Sequence, residues 1–352
     1  VIAILSQRSL SLDTRCRVDA FFAGTVFLDV IMSGLPGAGS VTPGQEVWAS
    51  GRVLSPGGIA NNAVGAARLG LRTGLAAAVG TDHVGDIVWR ELASQPDLDL
   101  SWSRRVPGLE TALTVSLTSG HDRAMISHGV LDPVPVHELV PSVPAAAMSF
   151  LSLSTGAEVP DWVRLQRAAG GLVFADVGWD ERFGWSPDAL AAGLAEVDVF
   201  VPNEAEAMAY TGARTPEAAL RALGELVPLV VITRGRRGAL ALDAAAGVTV
   251  AVDAVGGEGV DTTGAGDSFV AGLMRATHAG LPLERRVRFA AVCAGLSVRK
   301  LGGASAAPTL AGIGNWLTGA PPEYGFIREL LVTAGPAFQG PVRSSGHDRR
   351  RL

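Results

Sequence analysis

Val260-Asp261-Thr262-Thr263-Gly264-Ala265-Gly266-Asp267-Ser268-Phe269 is the stretch that the rest of the chain frames. Two glycines flank one alanine, an aspartate follows, and helix-compatible residues continue. This is the grammar of a turn feeding a helix N-terminus, where unpaired backbone N–H groups converge and the positive end of the helix dipole favours an anion. Short side chains let a phosphate approach those amides. An anion held there repels Asp267, so the aspartate makes sense if it takes a proton from a hydroxyl that attacks a phosphoryl group. The plainer alternative is an ordinary helix cap beside a glycine turn.

Composition sets the bounds around that stretch. A chain of 352 residues accommodates one large domain with a small appendage, or two modest domains. Its 48% hydrophobic content and 44 glycines describe a globular chain with closely packed helices and many turns. With a net charge of −5 and no extended basic stripe, nucleic acid is not an expected partner. No apolar run approaches the roughly 20 residues that span a membrane. Cys16 and Cys293 lie far apart in unlike settings, which argues against a disulfide framework and suits the cytoplasm. The six histidines show no metal-ligand spacing. Residues 1–17 read as a flexible leader and 319–352 as a C-terminal extension with a mobile end.

Outward from the motif, short apolar runs at 148–154, 172–176 and 197–201 alternate with helical patterns at 160–169 and 187–196, and 229–233 is almost purely β-branched. Such alternation predicts a mostly parallel sheet covered on both faces. Residues 18–23 read as the first strand and 75–80 as another. The segments 30–54 and 107–128 differ: glycine- and proline-punctuated β pieces, expected to form a small β lid that excludes water from phosphoryl transfer. Asn61 or Asn62 is placed to cap a helix ending at Gly70, while Asp82 and Asp86 read as turn residues. Asn203-Glu204-Ala205-Glu206 follows a strand and opens a helix, where carboxylates suit the dipole by themselves.

Residue for residue, Asp261 to Asp267 matches the Asp-Thr-Thr-Gly-Ala-Gly-Asp signature, and the chain resembles the ribokinase, or PfkB, family of carbohydrate and nucleoside kinases from about residue 18 to 308. The resemblance implies an α/β, ribokinase-like fold over 18–318, with a central mostly parallel sheet flanked by helices and a small β-sheet lid. It implies ATP-dependent phosphorylation of a hydroxyl on a sugar or sugar-like molecule. Asp267 would be the base, and the Gly264, Ala265 and Gly266 backbone the anion hole. Asp29, Gly57, Gly58 and Asn61 would grip the acceptor. Asn203 and Glu206 would organise Mg2+ and the nucleotide phosphates, Glu206 through water; Thr233, Gly235 and Gly238 would lie along ATP. Asp261 and Ser305 would stand near a monovalent cation, K+. The lid edges suit a homodimer.

The sequence also departs from the family. The interval from Gly57-Gly58 to Asn61 is one residue short, and Asp176-Val177-Gly178-Trp179 stands where some members carry Asp-x-Asn-x-Arg, with Arg182 nearby. Two other readings are a nucleoside kinase of the same family and a catalytically silent sugar-binding or regulatory relative.

Overall fold

The computed structural model describes residues 10–35, 42–119, 122–153, 158–178, 187–256 and 259–332. In chain order its strands are β1 (Ser11–Ala23), β2 (Val26–Ser33), β3 (Gly51–Gly58), β4 (Thr73–Ala76), β5 (Ala78–Gly80), β6 (Leu98–Asp99), β7 (Arg104–Val106) and β8 (Ala112–Ser119). There follow β9 (Asp122–His128), β10 (Ser142–Leu153), β11 (Leu172–Val177), β12 (Val199–Phe200), β13 (Leu229–Thr233), β14 (Ala239–Asp243) and β15 (Val248–Val252). Nine of them form one sheet in the order β15-β14-β13-β12-β11-β10-β1-β4-β6. Its pairs from β6 across to β13 are parallel, and β14 and β15 add an antiparallel edge.

Successive residues of the central strands serve opposite faces, as the period of two requires. Phe22, Phe150, Phe174 and Val231 join one buried core, with the Ala265–His278 and Leu283–Ser297 helices. Phe21, Val173, Val230 and Ile232 join the other, with Trp162 and Tyr210 from the helices Asp161–Ala168 and Glu204–Thr211. The strand runs read as apolar throughout because neither face meets water.

The smaller sheet, or lid, has four strands in the order β3-β2-β8-β9, drawn from 26–33, 51–58, 112–119 and 122–128. β2 and β8 run parallel, whereas β3 and β9 pair antiparallel on the outside. Met125 and Ile126 of the edge strand β9 are exposed.

Four elements differ from expectation. β1 begins at Ser11, seven residues before Val18, since Ser11–Asp13 pair with Ser142–Pro144 ahead of an irregularity at Asp13/Arg17. The 75–80 run breaks at Ala77: β4 joins the large sheet and β5 pairs with β7 in a separate one. The next helix starts at Ile59, with Gly58 at the N-cap, so Asn61 and Asn62 lie inside it and cap nothing. Beyond residue 318, Tyr324, Phe326, Ile327 and Leu330 pack into the core, and the Arg275 guanidinium donates to the Leu330 carbonyl at 3.0 Å. Asp82 proves structural: it caps the His83–Ala93 helix through Gly85 N–H at 2.7 Å and accepts from the Thr111 backbone and hydroxyl. Asp86 pairs with Arg105. Both cysteines are free thiols.

Candidate active site

The motif forms the turn and first coil of the Ala265–His278 helix. Gly264 occupies the N-cap with φ 72°, a left-handed conformation that costs an L-residue about 1–2 kcal/mol. A methyl there would also lie 2.8 Å from the Gly303 Cα. Asp261 locks the approach: its buried carboxylate accepts from the Thr263 N–H at 2.9 Å and the Gly302 N–H at 3.0 Å. The Ser268 N–H already bonds the Gly264 carbonyl, and the Ala265 N–H donates weakly to Thr262 at 3.3 Å. The amides of Gly266 and Asp267 stand in the first turn, where an α-helix supplies no internal acceptor.

This turn separates two cavities. The first, about 560 Å³, is lined by Ala265 and Gly266 on one side and by Thr233, Gly235 and Gly238 on another. Its remaining wall is mostly aliphatic, including Val255, Ala291, Ala294 and Val298, and buried Thr118 of the lid strand β8 reaches it. Gly238 has no space for a side chain, which would strike the Val252 carbonyl. Arg236 lines the mouth, while Arg237 pairs with Glu204.

The second cavity, about 710 Å³, has Asp267 in its wall with Gly58, Asn61 and Asn62. It opens beyond the C-terminal ends of β1, β10 and β11, the place where open α/β sheets bind ligands. Asn61 Oδ1 and Asn62 Nδ2 are buried polar atoms with no hydrogen-bond partner in the chain. A buried amide left so pays its desolvation cost, which a ligand with hydroxyl groups removes. Asp29 is buried on the lid strand β2, and its carboxylate packs on Gly57, where any Cβ would displace it.

Asn203 and Glu206 form a capping box: the Asn203 side chain accepts the Glu206 N–H at 3.0 Å, and Glu206 Oε2 accepts the Asn203 N–H at 2.8 Å. One Glu206 oxygen remains uncommitted by that box. Burial pushes the Glu206 carboxyl up to about 7, against the hydrogen bonds from Asn203. Asp176, at the end of β11, is held well above the usual carboxylate range, first by burial and then by the charges of Glu206 and Asp267. The three carboxylates therefore share one electrostatic neighbourhood.

The second predicted cation residue fits less well. Ser305 is exposed, and its carbonyl accepts from the Arg68 guanidinium at 2.9 Å, a partner that repels a cation. Arg182 lies outside the described residues. The sequence marks Asn62 only as a candidate helix cap and gives Asp132, Glu158 and Thr118 no site role, since those three stand in no recognisable motif. Asp176 was noticed only as a departure from a motif, and its neighbourhood with Asp267 is visible only in three dimensions.

The pfkB family carbohydrate kinase model matches residues 40–310. Among curated proteins, the cytidine kinase of Thermococcus kodakarensis is 31% identical over 67% of this chain and 85% of its own length. The nucleoside kinase of Methanothermobacter thermautotrophicus is 28% identical over 71% of this chain and 80% of its own. Among solved structures, aminoimidazole riboside kinase from Salmonella enterica superposes with a TM-score of 0.69 at 24% identity, covering 85% of this chain and 100% of that one. The chain belongs to the pfkB family of carbohydrate kinases and is an ATP-dependent enzyme that phosphorylates a carbohydrate or nucleoside.

Proposed function

We propose that this kinase transfers the γ-phosphoryl group of ATP to a hydroxyl of a sugar moiety, with Asp267 as the base and the Gly264–Gly266 backbone as the anion hole. The observation that carries this reading is the position of the turn between two cavities, Gly266 lining one and Asp267 the other. ATP would lie along Thr233, Gly235 and Gly238 with its phosphates reaching Gly266. The acceptor would lie against Gly58, Asn61 and Asn62; Asp29 and Gly57 pack on each other in the lid, outside the lining of that cavity. Asp267 takes the hydroxyl proton as the oxygen–phosphorus bond forms and the bond to the β-phosphate oxygen breaks. First-turn N–H groups stabilise the charge on the transferring group without reorganising.

Mg2+ fits the residues present. Asp176 and Glu206 are two carboxylates that burial keeps from ionising freely, and a divalent cation is the partner that favours both charges. Mg2+ keeps several waters and needs few protein ligands. When bound, the metal would neutralise phosphate charge. For K+, Asp261 offers carboxylate oxygens but Ser305 offers little. Exposed Met125 and Ile126 on the lid edge support association of two lids; sedimentation as a monomer at assay concentrations would remove that part of the reading.

Asp267→Asn tests the central assignment. Turnover is expected to fall by about 10²–10⁴-fold with the KM for ATP nearly unchanged, because only proton acceptance is lost. Near-normal turnover would overturn it and leave Asp267 as a helix-terminus residue.

A further inference from the structure

The Gly303–Ala306 helix is a single turn without a side-chain cap of its own, because Gly302 stands at its N-cap. The backbone N–H groups that open such a turn have no acceptor within it and must find one elsewhere. Here two acceptors come from distant parts of the chain. Asp261 Oδ2, in the Asp261–Asp267 motif, accepts the Gly302 N–H at 3.0 Å, and the Ser55 hydroxyl, on the lid strand β3, accepts the Ser305 N–H at 3.1 Å. Ser55 is fully buried, and its own O–H donates to the Pro56 carbonyl at 3.1 Å, which orients the oxygen toward Ser305. Arg68 closes the other side. Its guanidinium donates to the Ser305 and Ala307 carbonyls at 2.9 and 3.0 Å and is itself held by Gln95 at 2.9 Å.

Between these anchors Gly303 is wedged without slack. A methyl on Gly264 would lie 2.8 Å from the Gly303 Cα, and a methyl on Gly303 would strike the Asn61 amide oxygen. Gly302 backs onto Val53, whose Cγ1 lies 3.1 Å from where a Gly302 Cβ would stand, and Leu301 packs on Gly51. The lid strand, the buried Asn61 and the Gly264 turn therefore meet on one short segment. Close-packed groups of this kind transmit a displacement rather than absorb it. Ser55 adds direction to what Val53 and Gly51 supply as packing, because a hydrogen bond fixes an angle as well as a distance.

We propose that Ser55 is a positioning residue for phosphoryl transfer: its hydroxyl fixes the 302–307 segment to the lid, and that segment fixes the Gly264 turn, so that a seated lid sets the turn. The role rests on the reading of Gly264–Gly266 as the anion hole. Ser55 itself lines neither cavity and acts only through the segment.

Ser55→Ala in the intact protein is read in two ways. Backbone amide exchange, followed by mass spectrometry with no substrate present, is expected to speed up by about 2- to 13-fold in peptides covering 300–307 and 259–266, as the loss of one hydrogen bond allows, and to stay unchanged in β8. With ribose and with cytidine as acceptors, kcat is expected to fall by about 10-fold while the KM for ATP stays close to native, since a misplaced turn costs the transition state more than it costs binding. Acceleration confined to 300–307 overturns the proposal and makes Ser55 a local cap; acceleration shared by β8 overturns it too and makes Ser55 a general support of the lid. A native kcat does the same, whatever the melting temperature. The anion-hole reading fails separately, through native turnover in Gly264→Ala, and the exchange measurement judges the link between lid and turn in either case.

Discussion

The two cavities on either side of the Gly264–Asp267 turn are built from different materials. The donor side is largely backbone and aliphatic wall: Gly235, Gly238 and Gly266 expose main chain, and Val255, Ala291, Ala294 and Val298 close around them. The proposed acceptor side sets side chains with charge or hydrogen-bonding capacity, Asn61, Asn62, Asp132, Asp176 and Asp267, into a wall that is otherwise largely apolar. Shape and main-chain contacts suffice for a cosubstrate that never changes. Side chains must carry discrimination among acceptors, because a polar group left unpaired by the wrong ligand is what makes rejection strong. Substitutions on the two sides should therefore separate into effects on ATP and effects on the acceptor.

Gly264→Ala is expected to come second in size to Asp267→Asn. The methyl must adopt φ 72° and stands 2.8 Å from the Gly303 Cα, so the turn moves away from the Gly302-Gly303 segment that Asp261 holds. Turnover should fall by about 10–100-fold, since small misplacements in a preorganised site are costly. Gly266→Ala is the control on the donor side. Nothing lies within 4 Å of its Cβ, so folding is unaffected while the methyl intrudes on the cavity, raising the KM for ATP. Equal effects of the two substitutions on thermal unfolding and kinetics would erase the distinction between a strained and a merely crowded glycine.

Asn61→Ala sharpens the acceptor side. Asn61 Oδ1 has no partner in the chain, so on the proposed reading removing the amide deletes a contact made only when acceptor is present. A hydrogen bond of about 0.5–1.5 kcal/mol corresponds to a rise of about 2- to 13-fold in the acceptor KM. The KM for ATP should not change; if it rises in parallel, Asn61 acts through the Gly303 segment, on which its amide packs, rather than on the acceptor.

Much of this architecture was legible beforehand. The large sheet announced itself through runs such as 229–233, because strands buried on both faces carry no polar interruption, and the lid through its punctuation by glycine and proline. The turn was legible because its chemistry is local: a left-handed glycine, a first-turn aspartate and small neighbours are adjacent in the chain. Asn61 and Asn62 misled as caps because Gly58, with φ 62°, takes the N-cap position and carries the helix start three residues earlier. The outer wall of the acceptor cavity was illegible for another reason. Residues 131–137 and 158–164 lie in separate segments, the second running into the Asp161–Ala168 helix, and nothing in their spacing shows that they line one cavity with Asp267. The packing of 324–330 was equally hidden, since a few apolar residues in a short helix acquire meaning only from the surface they cover.

Glu206 leaves the chemical step aside and offers the most specific test, because it separates a structural cap from a charge that the proposed metal site would use. Its carboxyl rises from 4.5 to about 7 on folding, chiefly through burial. Between those values the folded chain holds a proton that the unfolded chain has released, so stability is fully present below pH 4.5 and is lost as pH rises to 7. A shift of that size corresponds to at most about 3 kcal/mol. Gln at the same helix position keeps an oxygen for the Asn203 N–H and never ionises. Glu206→Gln should therefore match the native protein at acid pH and become the more stable of the two near pH 8, with a shallower slope to which Asp176 still contributes in the same direction. Mg2+ at pH 8 should stabilise the native protein more than the variant, because binding to the folded chain draws on the charge that only glutamate supplies. Identical melting profiles across pH and Mg2+ would reduce Glu206 to its capping role and leave the metal without its second carboxylate.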